Sequence, residues 1–368
     1  MEITTNSDVR ANNRKRVANL LFTKGEMTKQ EIVKHLDMSL ATVNYLVKEL
    51  TEMGLFTSGA AMDSTGGRKP ICIQPVYGAK YAIGVEATAD VVRLVALDLG
   101  THVIAQESYE IAQESTLAYW KKVGEIVTEF GQKNNLSQEA LLDVGITLGI
   151  TMQDEVPVER KKQNQEFDFD IDLAREGIGM PVHFRNSTKM AAVAHCWHGD
   201  MKENFIYIYI GAKMSAAMVF ENQVMDFARI NGEIGCMLVG KNAEQRRLDS
   251  VFSRRTLCQN ANCKKLEELF DKIQAGNAEC KTVLDEYLDN LSDLLYNLYC
   301  MFGWKIILGG SLSPYFTPYI SGIEEKMKEY NPFEEFPEKI LDVSWLGIYA
   351  SAVGAAMIPI DHYLEDAV

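Results

Sequence analysis

The sequence predicts a mixed α/β chain: a small helical head closed by a hairpin, then a larger body of two α/β lobes. Three observations carry this. Two short helical patterns separated by a tight turn lie between Thr28 and Leu50. A triplet of strand-like runs occurs after Tyr81 and recurs after Phe205. Charge is split between the parts: residues 1–80 hold 11 Lys and Arg against 8 Asp and Glu, and the remainder holds 26 against 43.

A chain of 368 residues with 47% hydrophobic and 24% charged residues is long and apolar enough for more than one core. No apolar run reaches bilayer length, and Met1 to Asn13 lacks the apolar core of a signal peptide. Seven scattered cysteines in a chain of this size fit a reducing cytoplasm. The expected division is a head over residues 1–78 and a body over 79–368. Lobe one of the body would take about 79–188 plus the C-terminal helix 346–368, and lobe two about 189–345.

In the head, Asp8 to Lys24 repeats apolar residues at helical spacing and stops at Gly25. Thr28 with Glu31 three residues on is a capping box, opening a helix that buries Ile32, Val33 and Leu36. Asp37-Met38 is a turn, and Ser39 is a good N-cap for the next helix. Val43, Leu46, Val47 and Leu50 form its apolar stripe, and Gly54 ends it. Two strands, Leu55-Phe56-Thr57 and Ile71-Cys72-Ile73, flank a Gly66-Gly67-Arg68-Lys69 tip.

Helix, turn, helix and basic hairpin together predict a winged helix-turn-helix that reads DNA. The second helix would enter the major groove, with Ala41, Thr42, Asn44 and Tyr45 at base edges and Lys48 at phosphate. Thr28 and Ser39, at the two helix starts, are included in the candidate contact set. Arg68 and Lys69 would reach a groove or backbone from the wing. Arg10, Arg14, Lys15 and Arg16 would add phosphate contacts from the first helix.

The body opens with strands at Tyr81–Glu86, Val91–Asp98 and Val103–Ile111, a helix near 116–134, and a strand at Asp143–Leu148. The triplet returns at Phe205–Ile210, Ser215–Phe220 and Gln223–Asp226, followed by long helices and the buried strand Trp304–Leu308. A ligand cleft between the lobes is the expected site. His195 and His198 are read as incidental residues of a capped surface helix.

At this point the chain resembles the ROK family of repressors, open reading frames and sugar kinases. The matching stretches are RANNRKRVANLL (10–21), the helix-turn-helix, STGGRKP (64–70), YAIGVEATADVVRLVALDLG (81–100), PVHFRN (181–186), NGEIG (231–235), IILGG (306–310) and SAVGAA (351–356). The resemblance implies a two-lobed actin-like, sugar-kinase-like (ribonuclease H-like) body. It also implies homodimers or homotetramers, in which two heads engage both halves of a palindromic double-stranded operator.

Kinases of this family carry an Asp and a Gly-rich loop after the first strand, a catalytic Asp in an Asn-Asp pair, and a second Gly-rich loop. The corresponding stretches here are Glu86-Ala87-Thr88-Ala89-Asp90, Asn186-Ser187 and Gly211-Ala212-Lys213-Met214-Ser215. A serine hydroxyl is a poor base, and Cβ atoms obstruct close backbone approach to phosphate. The expectation is a regulator without catalytic residues or cofactor. The family's zinc ligands are also replaced: Cys236 stands at its His position, and Lys241 to Arg247 stand where its cysteine cluster would be. A rearranged site from Cys236, Cys258 and Cys263 stays open beside the reading that these are plain thiols.

By position, the family's hydroxyl-binding set becomes Asn186, Ser187, Glu233, Cys236 and Asp249. Three readings follow: a retained sugar-like effector, a different small effector, or none, with the body serving only assembly. A residual carbohydrate-active enzyme is the reading from another class.

Overall fold

The computed structural model describes residues 6–61, 71–153, 155–158, 169–198, 203–226, 231–240 and 245–366. The head runs α1 (Asn6–Lys24), β1 (Met27–Thr28), α2 (Lys29–Leu36), α3 (Leu40–Glu52), β2 (Phe56–Ala61) and β3 (Ile71–Pro75). The helix ends follow from local chemistry. The Thr28 hydroxyl accepts the Glu31 N–H at 3.2 Å, and the Glu31 carboxylate accepts the Thr28 N–H at 2.7 Å. The Ser39 hydroxyl accepts the Thr42 N–H at 3.1 Å and starts α3. Gly54, at φ +76°, turns the chain so that the Leu55 N–H reaches the Leu50 carbonyl. Val43, Leu46, Val47 and Leu50 are buried with Val17, Leu21, Ile32 and Phe56 in one core.

One head element was not foreseen. Met27 and Thr28 pair with Ile73 and Cys72, so the hairpin becomes a three-stranded sheet in the order β1-β3-β2. Two residues are too few to carry a periodic signal.

Lobe one contains β4 (Tyr81–Ala87), β5 (Val91–Asp98), β6 (Val103–Glu110), α4 (Leu117–Lys133), β7 (Leu141–Leu148), the short hairpin β8 (Met152–Gln153) and β9 (Val156–Pro157), α5 (Ile171–Ile178) and β10 (Val182–Asn186). Next comes α6 (Ser187–His198). Lobe two contains β11 (Phe205–Ile210), β12 (Met214–Phe220), β13 (Gln223–Val224), the hairpin β14 (Leu238–Val239) and β15 (Arg246–Arg247), and helices α7 (Asp249–Phe252), α8 (Arg254–Asn260), α9 (Leu266–Gln274) and α10 (Ala278–Phe302). It continues with β16 (Lys305–Gly310), α11 (Ser313–Phe316), α12 (Ile320–Tyr330) and β17 (Leu341–Val343). The last helix is α13 (Ala350–Asp366).

The two sheets share one topology. Lobe one has the order β6-β5-β4-β7-β10 and lobe two β13-β12-β11-β16-β17. In each, the first three strands are antiparallel and the last two add in parallel. The recurring strand triplet in the sequence is the antiparallel half of this duplicated unit.

Helix α4 covers one face of the first sheet with Trp120, Val123, Val127 and Phe130. Helix α13 covers the other at unusually short range. A Cβ on Gly84 would lie 1.9 Å from the Ala352 carbonyl oxygen, and one on Gly145 would lie 1.8 Å from that of Ala355. Only glycine admits that approach of helix backbone to strand backbone.

The division at 188/189 cuts α6 near its start, and this helix belongs to both lobes. It packs on α13 and on β11, β12 and β13. His195 is consequently buried, with Nε2 2.9 Å from the Ser344 hydroxyl, so the surface-helix reading of this residue is corrected. A helix held on two faces loses the one-sided pattern that betrays orientation in a sequence. The His198 side chain lies outside the described residues.

Head and body share a core: Val17, Leu21 and Phe22 cluster with Leu97, Leu99, Met357, Ile360 and Leu364. The Leu99 N–H donates to the Tyr77 carbonyl at 3.1 Å, and Lys15 pairs with Glu365 at 2.5 Å and Asp361 at 3.7 Å on α13. Among the described residues, no helix is long and apolar enough to cross a membrane.

Candidate functional site

Helix α3 presents a polar ridge opposite its buried stripe. Ala41, Asn44, Tyr45 and Lys48 are exposed, Tyr45 at 48% and the Lys48 side chain at 76%. Lys48 pairs with Glu52 at 3.7 Å, a solvent-screened pair of small energetic worth. The Thr42 hydroxyl lies 2.8 Å from that of Ser39, so both hydroxyls serve the helix start.

The remaining predicted contacts fall differently. Thr28 is buried and its hydroxyl donates to Glu31 at 2.8 Å, which makes it a cap and not a surface contact. Arg10 stacks 4.7 Å above the Tyr45 ring and pairs with Glu49. Arg14 reaches the same carboxylate at 3.8 Å. The hydrogen bond from Arg10 holds the Glu49 carboxyl below its ordinary pKa, so the pair is ionised. Lys15 is committed to α13, and Arg16 donates to the Leu36 carbonyl at 3.1 Å. These cations brace the head, because the crossing of α1 over α3 brings Glu49 to Arg10 and Arg14, and the packing of α1 on α13 and α2 brings Glu365 to Lys15 and the Leu36 carbonyl to Arg16. The expected wing contacts Arg68 and Lys69 lie outside the described residues.

Between the lobes lies a cleft of about 380 Å³. Its walls come from the end of β4 (Ala87 to Ala89), the turn after β7 (Gly149, Ile150), the start of α6 (Ser187, Thr188), the β11–β12 turn (Ala212, Lys213) and Arg255 of α8. Of the predicted effector set, only Ser187 lines it. Asn186 is turned into structure: its carbonyl oxygen accepts the Lys189 N–H at 3.0 Å as an N-cap, and its amide donates to the Ile150 carbonyl at 2.8 Å. Glu233 accepts from the Thr151 hydroxyl, and Asp249 accepts the Met214 N–H at 2.6 Å. Cys236 is half-buried in the short turn Ile234–Cys236. These residues brace the walls and do not converge on the cleft.

Other residues, missed from the sequence, join the lobes. Glu86 is fully buried; it accepts from Arg93 at 2.8 Å and from the Tyr209 hydroxyl of lobe two at 3.0 Å. Burial, together with the Glu86 charge, pushes the Tyr209 hydroxyl well above its ordinary pKa. Arg254 of lobe two pairs with Asp90 of lobe one at 2.7 Å, and Lys265 with Glu110 at 2.6 Å. The Thr188 and Ser215 hydroxyls meet at 2.5 Å. One signal was available: Arg93 interrupts the otherwise apolar run Val91 to Leu97, and a buried cation there requires a partner.

Cys236, Cys258 and Cys263 do not assemble: among the described residues, no three His, Cys, Asp or Glu side chains are placed to hold a metal ion. Cys258 is buried, which raises its thiol pKa. On lobe two, a separate groove of about 700 Å³ is lined by Met237, Leu238, Val239 and Met301, all substantially exposed.

Comparison with known proteins agrees with this architecture. A family model described as winged helix-turn-helix DNA-binding matches residues 11–57. The xylose repressor of Staphylococcus xylosus is 22% identical over 314 residues, 79% of each chain. The structure of a ROK family transcriptional regulator, described as a homologue of the E. coli MLC protein, superposes with a TM-score of 0.73 at 18% identity, covering 97% of both chains. A ROK family glucokinase from Streptomyces griseus, solved with glucose and AMPPNP, covers 76% of this chain and 98% of its own at a TM-score of 0.64 and 16% identity.

Fold and site thus define a DNA-binding winged helix carried on a two-lobed, sugar-kinase-like body. The kinase match covers 76% of this chain, and the regulator match covers 97% of it. In fold the chain is similar to ROK family proteins, and its head matches the winged helix-turn-helix DNA-binding family model.

Proposed function

We propose that the chain is a transcriptional repressor that binds a palindromic operator through α3 and the wing, and releases it when a sugar-like molecule occupies the interlobe cleft. The observation that carries this reading is the exposed ridge Ala41, Asn44, Tyr45 and Lys48 on a helix joined, through α1 and α13, to a two-lobed body with a cleft. Asn offers the bidentate geometry that recognises adenine, Ala suits a thymine methyl, and Lys48 suits phosphate. Arg68 and Lys69 are proposed as wing contacts. Arg10 is retained as a support that positions Tyr45; Thr28 and Ser39 are retained only as caps.

Occupation of the cleft would act through α6. The helix begins at the cleft with Ser187 and packs on α13, which in turn holds Lys15 of the head. A change in lobe angle therefore has a packed route to the DNA-reading helices. The similar repressor is named for xylose, which makes xylose the first sugar to test. Homo-oligomerisation is supported by the apolar groove at Met237 to Val239, whose exposed area suits a second copy. Sugar kinase activity is not expected, because Ser187 stands at the start of α6 where the resemblance implies the catalytic Asp. A cytoplasmic location follows from the proposed task.

The test is a gel shift of the full-length protein on the region upstream of its own gene, with and without xylose. Sequence-specific binding, weakened by xylose, is the expected result. Absence of specific binding at low salt would sink the proposal. Phosphorylation of a sugar by ATP would overturn the non-enzymatic part alone.

A further inference from the structure

Two thiols of lobe two meet outside the site described above. Cys263 lies in the turn between α8 and α9, and Cys280 in the first turn of α10. The Cys263 thiol donates to the Ala261 carbonyl at 3.3 Å, and the Cys280 thiol donates to the same carbonyl at 3.8 Å. The two thiols are also hydrogen-bonded to each other. Their settings differ. The Lys272 ammonium of α9 donates to the Cys263 sulfur at 3.5 Å. The hydrogen bond from Lys272 to Glu268 raises the ammonium above its ordinary pKa, so the cation beside the sulfur is charged. Cys263 is half-buried and lines a groove of about 560 Å³ that also holds Arg254 and Lys265. Cys280 is 3% exposed, and burial raises its thiol pKa.

We propose that Cys263 and Cys280 are a reversible oxidation site, at which a small peroxide oxidises Cys263 and Cys280 closes a disulfide onto it. A cation beside a sulfur favours the thiolate, the form that attacks, and the groove admits the oxidant. The Cys263 sulfur attacks one oxygen of hydrogen peroxide. An S–O bond forms, the O–O bond breaks, and the departing hydroxide leaves as water with the Cys263 proton. The Cys280 sulfur then attacks the sulfenic sulfur. An S–S bond forms, the S–O bond breaks, and the departing oxygen leaves as a second water with the Cys280 proton. The two thiols lose two electrons and one peroxide gains them. A dithiol reverses the bond by exchange, as suits a transient disulfide in a reducing compartment. Other thiols lack this combination: Cys72 and Cys258 are buried, and Cys300 is exposed on the last turn of α10. The consequence falls on the lobe junction. The turn that carries Cys263 leads into Lys265, paired with Glu110 of lobe one, and follows α8, whose Arg254 holds Asp90. Drawing Cys263 onto Cys280 moves that turn against lobe one.

The test is mass spectrometry of the full-length protein after brief treatment with hydrogen peroxide, alkylation of the remaining thiols and digestion with trypsin. The expected product joins peptide 256–264 to peptide 273–281 and disappears with dithiothreitol. It should be lost in Cys263→Ser and in Cys280→Ser. Peptide 256–264 also holds Cys258, and Cys258→Ser should keep the cross-link. Lys272→Gln should slow its formation about tenfold, because the thiolate is the attacking form. Three results overturn the inference: no cross-link at a peroxide exposure that oxidises Cys300, loss of the cross-link in Cys258→Ser, or formation in Lys272→Gln at the parent rate. Operator gel shifts of the reduced and oxidised protein read the lobe junction. An affinity that changes on oxidation, returns with dithiothreitol and stays constant in Cys263→Ser is expected. Equal affinity in both forms overturns the link to the junction. The mass measurement does not depend on DNA, so failure of the operator reading and failure of this site are told apart.

Discussion

Gly354→Ala tests whether the cleft and the head are mechanically joined. Gly354 lies in α13 where it crosses α6. A Cβ there would stand 2.0 Å from the Met190 carbonyl oxygen and 2.5 Å from its carbon. Both are backbone atoms and cannot swing aside. To restore an ordinary contact of 3.4 Å, the helices must part by about 1.4 Å. Overpacking of this kind costs about 1–3 kcal/mol. For a body of this size that lowers Tm by about 2–10 °C. The separation also loosens the α6–α13 packing that connects Ser187 at the cleft to the Lys15 contacts on α13. The variant should therefore bind operator with near-normal affinity and respond less to ligand. The control is Gly322→Ala in α12, where nothing lies within 4 Å of the added Cβ and alanine favours the helix. Thermal melts and gel shifts with and without ligand read both effects. If Gly354→Ala melts with the control and keeps its full ligand response, the coupling argument is wrong.

Further outcomes can be checked on the head. Asn44→Ala should cost about 1–3 kcal/mol of operator affinity with an unchanged melting curve, and should relax specificity at one base pair, read by gel shift on a mutated operator series. Glu49→Gln should release Arg10 and Arg14 from their shared carboxylate, raising non-specific DNA affinity and steepening its salt dependence, measured by anisotropy on random duplex. Arg68→Ala should weaken operator binding and flatten that salt slope; identical affinity and slope would remove the wing from the reading. Thr28→Val should destabilise the head by about 1 kcal/mol. The Thr28 N–H holds Glu31 below its ordinary pKa of 4.5, so the capping contribution is present above that pH and is lost as pH falls through the lowered value. Melts of Glu31→Gln between pH 3 and 7 should consequently converge with the parent at the acid end.

Much of the head was legible because its signals are local. Thr28 with Glu31, Ser39 and Gly54 act within a few residues, and the stripe from Val43 to Leu50 needs only helical spacing. The duplicated strand triplet was legible for the same reason, since alternation and turns are written along the chain. Resemblance supplied the two-lobed body, and the common topology of its two sheets agrees with it.

What only the tertiary structure decided are the partners of charged and polar side chains. Arg10, Arg14 and Lys15 look like free cations in a basic helix, but Glu49 and Glu365 meet them across packed helices. Asn186, Glu233 and Asp249 look like a hydroxyl-binding set, but each satisfies a neighbouring backbone or hydroxyl group. The cleft instead falls to Ser187, Lys213 and Arg255, which lie far apart in sequence. The physical reason is the same throughout. Helix starts, stops and apolar faces are set by short-range sterics and hydrogen bonds, whereas an ion pair or a site wall depends on how separate elements cross. That crossing is governed here by glycines such as Gly84, Gly145 and Gly354, whose role appears only when another backbone is seen against them.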